Sequence, residues 1–158
     1  MVNDMLNKKS EANLEIAKLC LEKENENFYS VGASRAYYAI FQATKNLLEK
    51  SCFDYKQFKK NDPIANVQRD YAHGSIRRAL EYFLRTNGFI EQDDLIFIKE
   101  MHQIFKKLYN WRLKGDYYEA VIYRQILKNA IERAEMFINN LKKYNKGEIH
   151  EKKTETDD

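Results

Sequence analysis

The chain has 158 residues, 44% hydrophobic, 13% aromatic and 32% charged, with a formal charge of only +3. Five glycines and one proline are too few to turn the many corners of a sandwich or barrel, and the aromatic content argues against disorder. A single all-helical domain is the expectation. The first twenty residues are broken by charges and contain no signal-peptide core. The densest apolar run, Leu95-Ile96-Phe97-Ile98, falls far short of the ~20 residues of a membrane span. The two cysteines, Cys20 and Cys52, form no CxxC pair and read as reduced thiols of a cytoplasmic protein.

Taken in chain order, apolar residues recur with helical spacing. A first helix is expected over 4–23, with Leu14, Ile16, Ala17, Cys20 and Leu21 on its apolar side. The polar stretch 24–27 interrupts it, and a second helix is expected from Ser30 to Lys50. Its stripe is Tyr37, Ile40, Phe41, Thr44, Leu47 and Leu48, and Ala36, Ala39 and Ala43 allow a neighbour to approach closely. Pro63 is suited to the first turn of a short helix capped by Asp62. A third helix runs from Ser75 to a C-terminal Gly88, and a fourth from Gln92 to about Lys114 on the stripe Leu95, Ile98, Met101, Phe105 and Leu108. Gly115 would end it, Asp116 would cap a fifth helix from Tyr117 to Tyr144, and Glu119 would complete a capping box. The expected fold is an antiparallel up-and-down bundle of four to five helices over 1–145, followed by a charged, frayed tail at 146–158. The tail holds three Lys and five acidic residues; without it the balance is 24 basic against 19 acidic, about +5.

Two groups of residues could carry chemistry. Arg112 continues the apolar seam 98–101–105–108, so it needs a partner or an opening. It either clamps an anion through its planar fork or pairs structurally with Asp116; Tyr117 and Tyr118 adjoin the same turn. On the second helix Arg35, Tyr38, Gln42 and Lys45 share one face, which lines a groove or subunit interface or is simply exposed. His102 lies ten residues before Arg112, about 15 Å along a helix, and cannot join it within one subunit. His73 precedes the third helix and could return to the groove. Glu100 and His102, two apart, do not form the Glu-x-x-His pair of a bundle metal site, so no metal ligand is assigned.

The segment SRAYYAIFQATKNLLEK, His73 before the third helix, and the R-x-x-x-D-Y turn at Arg112 together resemble the HEPN domain family, particularly its small stand-alone prokaryotic members. The resemblance spans about 13–144. It implies a helical bundle that forms a homodimer, needs no cofactor, and in active members is a metal-independent endoribonuclease. In that chemistry the RNA 2′-OH attacks the adjacent phosphate, a histidine moves the proton, and an arginine stabilises the phosphorane. Many members pair with a minimal nucleotidyltransferase that acts as antitoxin. Arg112 matches the motif arginine, but positions four to six later hold Asp116, Tyr117 and Tyr118 where the motif has histidine. The resemblance places Arg112, Asp116 and Tyr117 at the catalytic position, with Arg35, Tyr38, Lys45, His73 and Tyr118 binding RNA or phosphate. The alternative is a non-catalytic scaffold that binds a nucleotidyltransferase or a nucleotide.

Overall fold

The structure is a computed structural model that describes residues 2–117 and 121–145, with side chains described for 5–116 and 121–145. The described residues form helices and no strands: α1 (Val2–Glu22), α2 (Glu26–Lys50), α3 (Tyr55–Asn61), α4 (Ile76–Thr86), α5 (Gln92–Tyr117) and α6 (Arg124–Leu141), with 3-10 turns at Ala65–Val67 and Lys142–Tyr144. The all-α bundle expected from periodicity is the observed architecture.

The organising element is α2. It packs against α1, α4, α5 and α6, and thirteen of its residues are buried. Small residues make that crowding possible. Ala33, Ala36 and Ala39 are fully buried, and a Cβ on Gly32 would come within 2.8 Å of Leu127 and 2.9 Å of Cys20. A residue with no side chain at that point lets α1 and α6 close on α2 from two directions. The buried Ser10 hydroxyl donates to the Ala39 carbonyl at 2.8 Å, tying α1 to the same helix. On α5, Ile98, Met101, Phe105 and Leu108 are buried as their spacing requires, and Phe105 meets Phe137 of α6 edge to face.

Several boundaries differ from the sequence reading. Helix α2 begins four residues earlier than Ser30, because the Asn25 side chain accepts from the Asn27 amide at 3.0 Å and caps it. A helix at 55–61 escapes the periodicity argument; Asp54 caps it and it buries only Tyr55 and Phe58. Asp62 does bind the amides of Ile64 and Ala65, at 3.0 and 2.8 Å, but the element it serves is a 3-10 turn. Ile16 and Leu95, assigned to buried stripes, are exposed.

The largest correction is at Gly115. It does not end the helix: α5 continues to Tyr117, and α6 starts only at Arg124. Asp116 is therefore no N-cap but lies in the last turn of α5. Gly115 serves packing instead, since a Cβ there would sit 3.2–3.3 Å from the Ser30 backbone. Gly88, by contrast, is the C-terminal glycine expected after α4, with φ +82 and the Phe89 amide donating back to Leu84.

Candidate functional site

The antiparallel contact of α2 with α5 brings Tyr37, Tyr38, Tyr109 and Arg112 together. Tyr37 and Tyr38 are consecutive on α2 and flank the helix–helix seam; Tyr109 and Arg112 are three apart on α5 and share a face. The Arg112 guanidinium carbon lies 5.0, 5.6 and 5.8 Å from the ring centres of Tyr38, Tyr37 and Tyr109. Ring faces carry negative potential, so three of them form a cage for a cation. Arg112 is 9% exposed, yet its Nε finds no hydrogen-bond acceptor. Asp116 approaches Nε to 3.6 Å, which makes a charge pair but not a hydrogen bond. The Asp116 carboxylate accepts a 3.2 Å hydrogen bond from Ser34 Oγ on α2. A carboxylate at a helix C-terminus opposes the helix dipole, and Arg112 and Ser34 offset that repulsion.

His73 enters from the segment before α4. Its Nδ1 lies 2.7 Å from the Tyr37 hydroxyl, and its ring packs 4.7 Å from Phe41 and 6.2 Å from Tyr109. Tyr38 is 6.0 Å away, edge-on. His73 and Arg112, 39 positions apart in the chain, thus share Tyr37, Tyr38 and Tyr109 as ring neighbours. Burial, then the positive charges of Arg112 and Arg69, depresses the His73 pKa below its ordinary value of 6.5. Burial pushes the Tyr37 phenol well above its usual range, so it stays protonated. The pair is therefore neutral imidazole against neutral phenol at pH 7. If Tyr37 donates to Nδ1, Nε2 carries the ring proton; in the other tautomer Nε2 is a free base.

The other assigned residues separate. Arg35 reaches back to Asn13 of α1 at 3.3 Å. Lys45 lies 5.2 Å over the Tyr71 ring and 3.8 Å from Glu49. Only Tyr38 of that face joins Arg112. The Tyr117 side chain and the whole of Tyr118 fall outside the described residues. His102 pairs with Glu81 at 3.4 Å and stands apart from the site. Sequence reasoning missed Tyr109 and put Tyr37 in the core stripe. Tyr109 precedes Arg112 by three on one helix, which is a usable signal; the hydrogen bond between Tyr37 and His73 leaves none.

Beside this cluster is a cavity of about 150 Å³ lined by Tyr37, His73, Gly74, Arg77, Phe105, Lys106 and Tyr109.

No family profile matches the chain. It is similar to a protein of the archaeon Methanocaldococcus jannaschii named "Putative toxin MJ0605", with 28% identity over 134 residues, 85% of this chain and 81% of the relative.

Proposed function

We propose that the chain is a HEPN-type toxin that acts on RNA, and that the Arg112–His73 cluster is its phosphate-handling site. The observation that carries this reading is the convergence of a caged arginine with an unused donor and a neutral histidine on the same three tyrosines. Nε is itself buried, so a substrate phosphate would supply the acceptor it lacks only after the side chains over it give way. His73, reached through space rather than four to six residues along the helix, would take the role of the absent motif histidine. With a depressed pKa it serves first as base. It removes the 2′-OH proton, the 2′ oxygen bonds to phosphorus, and the bond to the 5′ oxygen breaks. The products are a 2′,3′-cyclic phosphate and a 5′-hydroxyl that receives a proton. The nucleophile belongs to the substrate, so the step calls for no metal or cofactor. The likeness to the archaeal protein supports a toxin role, in which a second protein, such as a minimal nucleotidyltransferase, restrains the activity. A homodimer would double the cluster across one cleft.

The test is incubation of purified protein with structured and single-stranded RNA in EDTA, beside Arg112→Met and His73→Gln. Cleavage with 2′,3′-cyclic ends by the wild type, lost in both variants, is the expected result. A second reading, a non-catalytic scaffold for a nucleotidyltransferase, is favoured by the low exposure of Arg112. It prevails if no RNA is cut while such a partner co-purifies in stoichiometric amount.

A further inference from the structure

The cavity next to the cluster has a lining chemistry of its own. Its aromatic walls are Tyr37, Phe105, Tyr109 and the His73 imidazole. Its charged residues are Arg77 of α4 and Lys106 of α5, and no carboxylate lines it. Among the described residues neither cation is paired with an acidic side chain. Gly74 places the start of α4 at the rim, and no side chain caps that helix, so the positive end of its dipole adds to the same field. The site thus wants a ligand that is flat and aromatic at one end and anionic at the other.

Size narrows the choice. Pockets for drug-sized ligands run from ~300 Å³ upward, so about 150 Å³ accommodates one ring system with its substituent outside. Arg112 does not line the cavity but lies over the same Tyr37 and Tyr109 rings. A phosphate at Arg112 and a ring in the cavity would be neighbours along a single strand.

We propose that this cavity is a nucleotide subsite: it holds one unstacked base of a single-stranded RNA against the half-buried Tyr109, with Arg77 and Lys106 on that nucleotide's phosphate. This deepens the RNA reading above and rests on it for the strand, although binding of a mononucleotide can be measured without any cleavage. Stacking on aromatic rings combined with cationic contacts to the backbone is the general means of holding single strands, and it tolerates different bases. The subsite would accordingly select for single-stranded substrate more than for sequence.

The experiment titrates the full chain with the four nucleoside 5′-monophosphates, with the matching nucleosides, and with inorganic phosphate, following the His73 and tyrosine ring protons by NMR. Arg77→Gln/Lys106→Gln is measured in parallel; both are surface-side positions outside the Arg112 cluster. The expected result is saturable binding of the monophosphates with shifts at His73 and Tyr109. Nucleoside or phosphate alone should bind at least about tenfold more weakly, as should the monophosphates to the double variant. Absence of shifts at millimolar monophosphate overturns the proposal. So does binding that the double variant leaves unchanged, because the site then lies elsewhere. The two readings fail separately. Monophosphate binding without RNA cleavage keeps the subsite and removes the nuclease. Cleavage that is unaffected in the double variant, without mononucleotide binding, keeps the nuclease and removes the subsite.

Discussion

Arg112 is the residue whose environment is hardest to justify by folding alone. Each cation–ring contact is worth about 0.5–2 kcal/mol when desolvated, but a buried donor without an acceptor costs about 1–3 kcal/mol. One guanidinium shared among three rings does not gain three full contacts, so the two effects are of similar size. Arg112→Met, which fills the volume without charge or donor, should therefore change unfolding free energy by less than about 1 kcal/mol in urea titrations. A destabilisation beyond about 3 kcal/mol would make Arg112 a strut of the fold instead. The same substitution should abolish RNA cleavage, and Arg112→Lys should not restore it, since an ammonium lacks the planar fork. The histidines supply a second residue-scale prediction. His73 and His102 both titrate below 6.5 in the folded chain; burial leads in each case, and at His102 it outweighs the pull of Glu81. Between those depressed values and 6.5 the unfolded chain binds more protons than the native one. Stability is then full above about pH 6.5 and declines as pH falls below it. His73→Gln should flatten part of that decline; an unchanged slope would mean that the ring is not held as described.

At the scale of elements, the meeting of α2 with its neighbours decides the geometry, and small residues decide the meeting. In an exposed helix, Gly→Ala gains about 1 kcal/mol from propensity. Gly115 should not show that gain, because the added Cβ presses on backbone at Ser30, which cannot rotate aside. Gly115→Ala is expected to be neutral or destabilising in thermal unfolding, and to weaken cleavage by shifting Arg112 against Tyr37 and Tyr38. Gly88→Ala meets no steric contact at all. Its cost should be about 1 kcal/mol, from the positive φ alone, with cleavage untouched. Finding the reverse pattern for the two glycines would contradict the packing role given to Gly115.

For the whole molecule, the bundle closes at its C-terminal end where the Tyr144 hydroxyl donates to Asp94 at 2.7 Å and its ring meets Phe89 and Phe97. Removal of 146–158 should leave the melting temperature within about 2 °C and raise the net charge from +3 to about +5. RNA affinity should rise modestly at low salt, since an acidic segment no longer competes with phosphate. A large loss of stability would place the tail inside the domain. Sedimentation equilibrium tests the dimer: one species of twice the chain mass is expected at micromolar concentration, and a monomer that still cleaves RNA would remove the shared cleft from the reading.

How much of this was legible beforehand depends on the range of the interactions concerned. The helices at Ile98–Leu108 and Tyr37–Leu48 follow from local periodicity, and Gly88 as a helix stop follows from local backbone sterics. The long seam through Arg112 also identified a charge that needed explaining. Gly115 misled because the same absent side chain that ends helices also permits close approach, and only the neighbour at Ser30 distinguishes the two. The Arg35–Tyr38–Gln42–Lys45 face looked like one surface, yet Arg35 reaches Asn13 of α1, Tyr38 meets Arg112 of α5, Lys45 lies over Tyr71, and the Gln42 carbonyl oxygen is buried without a partner. His73 had no periodic position to betray it. Its place beside Tyr37 and Arg112 comes from the path of the chain between α3 and α4. The amino-acid sequence by itself determined an all-helical bundle and an arginine on its seam, because helix formation and amphipathicity are local. The tertiary structure alone decided that a histidine 39 positions earlier shares that arginine's tyrosines, because contacts between distant segments depend on how the helices pack and not on their spacing.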